Sequence, residues 1–137
     1  MKLIVCIDDR GGMAFNQRRQ SRDRALCEDV ASMVRDEGVT LFCSPYSAPL
    51  FAELSPFSLC EDADYAARAG VHDYCFCERE SPAAYAPKAT MLIVYRWNRH
   101  YPSDLKFDIS LDAWTLQTTR EFAGNSHEKI TKEIYVK

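Results

Sequence analysis

The sequence predicts an α/β fold in which a mainly parallel central sheet is flanked by helices and followed by a C-terminal antiparallel hairpin. Three observations carry that expectation. Strand-like and helix-like runs alternate along residues 1–97, the order that builds a parallel sheet with both faces covered. Residues 1–7 and 91–97 are rich in Ile, Val and Leu, as strands buried on both sides must be. Residues 114–122 and 129–136 are two strand-like runs joined by Ala-Gly-Asn-Ser, the composition of a hairpin turn.

In chain order, residues 1–7 form the first expected strand, which breaks at Asp8-Asp9-Arg10-Gly11-Gly12. Residues 13–20 read as a polar segment with one Phe, and Ser21 is placed to cap a helix. In that helix Leu26, Cys27, Val30, Met33 and Val34 recur on one face, and Gly38 ends it. Residues 39–44 read as a second strand. Pro45, Pro49 and Pro56 confine any helix after it to a short one around 50–54. No period dominates 55–64, while 64–69 look helical with Gly70 as the stop. Residues 72–77 have strand composition. Ser81-Pro82 then supplies an N-cap and a first-position proline, and Pro87 keeps that helix to a couple of turns.

With 137 residues, 47% hydrophobic and 27% charged, the chain has the size and mixture of one globular domain spanning 1–137. Seventeen basic against twenty acidic side chains give a net charge of −3. No global field therefore favours nucleic acid, and any anion site must be local. The apolar start is too short for a signal-peptide core, and no later run approaches a membrane span, so a cytoplasmic protein without a membrane partner is expected. Most of the six cysteines (6, 27, 43, 60, 75 and 77) sit among apolar neighbours, which predicts reduced core thiols. Cys75-x-Cys77 places two sulfurs on one strand face, but no CxxC pair or adjacent histidine completes a zinc set, and no metal is expected.

In a sheet of this kind ligands gather beyond the C-terminal strand ends. Those ends bring together the 8–21 loop, the segments after Ser44 and Cys77, and residues near Arg96. Arg18, Arg19, Arg22 and Arg24 crowd the loop and the helix start, whose dipole already favours an anion. They read either as a pocket for a phosphate or carboxylate, or as a solvated cluster paired with Asp8, Asp9, Glu28 or Asp29. Tyr95-Arg96-Trp97-Asn98-Arg99-His100-Tyr101 interleaves cations with rings, and strand alternation puts Arg96 and Asn98 on one face, where they would join the arginines. Asp8 and Asp9 point apart on an extended chain, which favours salt bridges to the arginines over Mg²⁺. Asp23, near the helix start, reads as a helix-dipole partner or as the anchor of a polar ring or amine, and is the one candidate for a catalytic role. Adjacent residues cannot form a catalytic triad, so Ser126-His127-Glu128 is not one, and His127 is expected to be structural or exposed.

The order of elements, Asp9-Arg10-Gly11-Gly12-Met13 after the first strand, Tyr85-Ala-Pro87-Lys88-Ala89 before Met91-Leu-Ile-Val-Tyr95, and Asn125-Ser126-His127 with Lys132-Glu133-Ile134 in the tail resemble dihydrofolate reductase. The resemblance implies a dihydrofolate-reductase-like fold, NADPH as cofactor, and Asp23 in the place of the carboxylate that binds the pterin. Where that family keeps a glycine pair against the NADPH pyrophosphate, this chain has Cys77-Glu78-Arg79-Glu80. Side chains there block the approach and two carboxylates repel phosphate, so no cofactor is expected. Asp8-Asp9, Phe15-Asn16, Arg18-Arg19-Gln20-Ser21 and Ser126-His127-Glu128-Lys129-Ile130 also resemble a group of short bacterial proteins of unassigned activity. The label ribonuclease Z is sometimes attached to that group. That metallo-hydrolase family needs a clustered His-x-His-x-Asp-His, whereas His72, His100 and His127 stand apart, which excludes a nuclease of the metallo-β-lactamase type.

The function expected is binding of a small anionic or nucleotide-like ligand through Arg18, Arg19, Arg22, Asp23, Arg96 and Asn98, without standard reductase machinery. The alternatives are a divergent NAD(P)H-dependent reductase and a protein-interaction module. The sequence leaves the oligomeric state and the question of catalysis open.

Overall fold

The computed structural model describes residues 1–137. Ten strands and two α-helices build it: β1 (Lys2–Ile7), β2 (Gly12–Phe15), β3 (Arg18–Arg19), α1 (Arg24–Glu37), β4 (Leu41–Cys43), β5 (Leu59–Glu61), α2 (Tyr65–Arg68), β6 (Tyr74–Phe76), β7 (Met91–Arg96), β8 (Leu105–Lys106), β9 (Thr115–Phe122) and β10 (Ile130–Val136). Seven strands form the main sheet in the order β5-β4-β6-β1-β7-β10-β9. The five from β5 to β7 are parallel, with β1 at Ile4 facing Phe76 of β6 and Ile93 of β7. β10 runs antiparallel to both β7 and β9, as the tail predicted. β3, β2 and β8 make a small second sheet.

The two faces of the main sheet bury different residues, because side chains alternate along each strand. On one face Ile4, Leu41, Phe76, Ile93, Tyr95 and Trp97 pack against Leu26, Cys27, Val30 and Val34 of α1. On the other, Leu3, Val5, Ile7, Leu92 and Val94 pack with Tyr65 and Ala66 of α2 and with Trp114. Burying each of the larger aliphatic side chains contributes about 1.5–3 kcal/mol, so the central strands and α1 anchor everything above them. Gly38 ends α1 in the left-handed region at φ 66°, and its N–H bonds the Arg35 and Val34 carbonyls.

Four local expectations are corrected. The N-cap of α1 is Asp23, whose carboxylate accepts from the Ala25 N–H, whereas Ser21 turns to another partner. Residues 13–20 form a hairpin: Phe15 pairs with Arg18 across Asn16 and Gln17, both at positive φ, and this short ribbon is supported from elsewhere in the chain, by the pairing of β2 with β8 and by the hydrogen bond from the Arg19 N–H to Tyr46 Oη. The segment without a period carries the edge strand β5, held by hydrogen bonds to β4 and not by a pattern of its own. The two proline-limited helices are 3₁₀ turns, Ala48–Phe51 and Pro82–Ala84, since a single turn opened by proline has too few residues to close α-type bonds. No helix is long and apolar enough to cross a membrane.

All six cysteines are free. Burial pushes the Cys27, Cys43 and Cys77 thiols up to about 12 and Cys75 to about 11, which keeps them protonated and inert.

Candidate functional site

Beyond the C-terminal ends of β1, β4 and β6 the chain does bring the 8–21 loop together with the segments after Ser44 and Cys77. Asp8 organises the loop. Its Oδ1 accepts from the N–H groups of Arg10 at 2.9 Å and Gly12 at 2.7 Å, and its Oδ2 from Gln20 Nε2 at 3.0 Å and the Tyr101 N–H at 3.1 Å. Burial alone would raise its pKa, but these donors hold the carboxyl below its ordinary range. Asp8 therefore pairs with amides, not with the arginines expected to hold it. The structure contains no group of three or more Asp, Glu, His and Cys side chains arranged to hold a metal.

The expected arginine pocket is divided. Arg19 makes a two-pronged pair with Glu78, Nε to Oε2 at 2.8 Å and Nη2 to Oε1 at 2.9 Å. Its guanidinium lies 4.2 Å from the centre of the Tyr46 ring, and Ser47 Oγ donates to Glu78 Oε1 at 2.7 Å. Arg96 shares a sheet face with Leu92 and Val94, opposite α1, and pairs with Glu133 at 2.6 Å. Alternation along β7 thus turns it away from the cluster it was expected to join. Asn98 is spent on backbone geometry: at φ 58° its Nδ2 donates to the Lys129 carbonyl at 3.0 Å and to Thr131 Oγ1 at 2.9 Å, closing the end of the hairpin. Arg24 pairs with Glu28 on the surface of α1.

Arg18 and Arg22 have no carboxylate partner, and they open on two separate recesses. Arg22 borders a groove of about 550 Å³ between the start of α1 and residues 49–54, where Glu53 and Asp23 also line the wall. Arg18 borders a recess of about 540 Å³ with Phe15, Asn16, Arg19, Gln20, Tyr101 and Pro102, and no carboxylate lines it. Phe15 is 45% exposed there and offers a ring face to the recess. Gln20 Nε2 donates to Asp8 and to the Pro102 carbonyl, both acceptors, which fixes the amide orientation. Its buried Oε1 is then left without a partner, beside a water-sized cavity of about 10 Å³ shared with Cys6, Met13, Ser21, Cys77, Glu78 and Trp97.

Asp23 sits on the inner side of this region, 4% exposed and fully occupied. Oδ1 accepts from the N–H groups of Ala25 at 2.9 Å and Asn125 at 3.0 Å, and Oδ2 from the Ser126 N–H and His127 Nδ1, each at 2.9 Å. Burial opposes its charge, but the Asn125 N–H, His127 and the remaining donors outweigh it and hold the carboxyl far below the ordinary range. One side chain thus joins the start of α1 to the turn of the C-terminal hairpin. Gly124 allows the approach, since a Cβ there would lie 2.5 Å from Asp23 Oδ2 and 2.8 Å from the His127 carbonyl. Gly124→Ala is expected to cost about 2 kcal/mol of stability, read as a lower urea midpoint at unchanged slope; a change within 0.5 kcal/mol contradicts the contact.

Sequence reasoning did not find Glu78, Tyr46 and Ser47 as partners of Arg19. Nothing local marks them, since they meet Arg19 only through the packing of three strand-end loops. Phe15 and Tyr101 were within reach, because the first lies in a quoted motif and the second in the aromatic and cationic run.

No family model and no curated protein matches the sequence. Among solved structures, a dihydrofolate reductase from Enterococcus faecalis, complexed with NADP(H) and RAB-propyl, superposes on 98% of this chain and 94% of its own, with a TM-score of 0.61 and 10% sequence identity. That likeness shows the fold: the chain is an α/β protein of dihydrofolate-reductase-like architecture.

Proposed function

We propose that residues 1–137 act as one cytosolic domain that binds a small anionic, nucleotide-like ligand in the recess bordered by Arg18. The carrying observation is the lining of that recess, which holds arginine and two aromatic rings and no carboxylate. A guanidinium without an anionic partner beside a half-exposed Phe15 suits a ligand that joins a phosphate to a planar ring. The reduced cysteines fit the cytosol. Membership of the short bacterial group resembled by Phe15-Asn16 and Arg18-Arg19-Gln20-Ser21 is part of this reading, because all of those residues but Ser21 line the recess.

The neighbour's cofactor favours a second reading, a divergent NAD(P)H-dependent reductase. The loop after β6 does not fit that group. Glu78, 9% exposed at its side chain and locked to Arg19 and Ser47, stands where a pyrophosphate would have to approach backbone. Asp23 has no free acceptor to offer a pterin.

Thermal unfolding with adenosine monophosphate, inorganic phosphate and NADPH separates these readings. A ligand at a hundred times its dissociation constant adds about 2.7 kcal/mol, a shift of roughly 10 °C for a chain of this size. Adenosine monophosphate is expected to raise the midpoint, and Arg18→Ala to abolish the rise. A rise with NADPH that survives Arg18→Ala would transfer support to the reductase reading. No rise with any nucleotide or with phosphate would overturn the nucleotide-like ligand.

A further inference from the structure

We infer that Asp23, His127 and Ser21 form an acyl-transfer triad in which Ser21 is the nucleophile. The three residues come from the start of α1, the hairpin turn before β10 and the loop after β3, so only the folded chain assembles them. Asp23 Oδ2 accepts from His127 Nδ1 at 2.9 Å, which places the proton on Nδ1 and leaves Nε2 as an acceptor. Ser21 Oγ lies 3.1 Å from that Nε2. The Asp23 and His127 side chains are 0% and 1% exposed, whereas Ser21 is half-buried and borders the cavity of about 10 Å³. The Trp97 ring stacks on the imidazole at 4.5 Å and 25°, which holds its plane. Tyr101 Oη lies 2.9 Å from Nε2 and 3.3 Å from Ser21 Oγ. With the Ser21 hydroxyl donating to Nε2, Tyr101 donates to Ser21 Oγ and keeps the serine turned towards the imidazole, a positioning role.

This is the mutual geometry of a nucleophile, its base and the group that orients the base. The structure supplies it through Ser21, far in sequence from the Ser126 beside His127. Ser21 Oγ would attack an ester carbonyl carbon as its proton passes to Nε2, and that proton then leaves with the alcohol as the ester C–O bond breaks. Water next attacks the acyl-serine, gives its proton to Nε2 and releases the carboxylic acid, restoring Ser21 and the neutral imidazole. Tyr101 also lines the Arg18 recess, which suits an ester whose alcohol part carries the anionic group; only that last assignment rests on the ligand reading above.

The test uses p-nitrophenyl acetate, which carries no carboxylate or phosphate and so does not depend on Arg18. Wild-type protein is expected to release a burst of p-nitrophenolate and to carry acetyl on Ser21 by peptide mass mapping. Ser21→Ala should abolish both with an unchanged unfolding midpoint, and His127→Gln should slow acylation by roughly 10³-fold. Acetyl on wild-type Ser21, mapped by mass and absent from Ser21→Ala, is a readout available even if His127→Gln does not fold. A folded wild type without acetyl-Ser21, or acetyl on Ser126 instead, would each overturn the triad. A burst that persists in Arg18→Ala separates this result from the fate of the nucleotide reading.

Discussion

Asp23→Ala is expected to lower the unfolding free energy at pH 7 by about 4 kcal/mol, a large fraction of the stability of a domain this size. The carboxylate caps α1, an interaction worth about 1 kcal/mol, and it also receives the Asn125 and Ser126 N–H groups and His127 Nδ1. Alanine leaves those buried donors without an acceptor, at about 1–3 kcal/mol each before relaxation. The loss should grow with pH in a defined direction. The folded carboxyl titrates below its unfolded value of about 3.9, so its contribution is full above that value and falls away as pH drops through the folded one. Urea unfolding of wild type and Asp23→Ala should therefore differ most near neutrality and converge under strong acid. A difference below 1 kcal/mol at pH 7 would show that the hairpin turn does not depend on this carboxylate.

Glu78→Ala is expected to cost about 3 kcal/mol. Its carboxylate is the two-pronged partner of Arg19 and the acceptor of Ser47, and neither side chain of the ion pair is more than 20% exposed. Removing one member of a mostly buried pair leaves the other charge without compensation, which costs more than the pair itself contributes. The double variant Arg19→Ala with Glu78→Ala should then lose less than the sum of the two single losses, a coupling of about 2 kcal/mol in a thermodynamic cycle. Strict additivity would mean that Arg19 finds enough water or the Tyr46 ring to do without Glu78.

Much of the architecture was legible because it rests on local patterns. The Leu26, Cys27, Val30 and Val34 stripe and the stop at Gly38 placed α1, and continuous apolar composition placed β1 and β7. The small elements were not legible. β5, β3 and β8 are two or three residues long, and their existence is decided by a hydrogen-bonding partner elsewhere in the chain. The cap of α1 was misread by two residues because Ser21 and Asp23 are both good caps, and only the approach of Asn125, Ser126 and His127 selects the aspartate.

The candidate site divides along the same line. By itself the sequence determined which charged groups gather at the strand ends, because loop positions follow from strand order, and it put the charged run Glu78-Arg79-Glu80 directly after the strand that ends near Cys77. Only the tertiary structure decided what each charge is paired with. Arg19 is neutralised by Glu78, Arg96 by Glu133 on the opposite sheet face, and Asp23, beyond its local bond to the Ala25 N–H, by donors that follow it by about a hundred residues, while Arg18 keeps an unpaired guanidinium. The physical reason is range. Periodicity and capping act over a few residues and leave their mark in the sequence, whereas an ion pair or a relay of hydrogen bonds is a meeting of distant segments, set by the packing of both sheet faces.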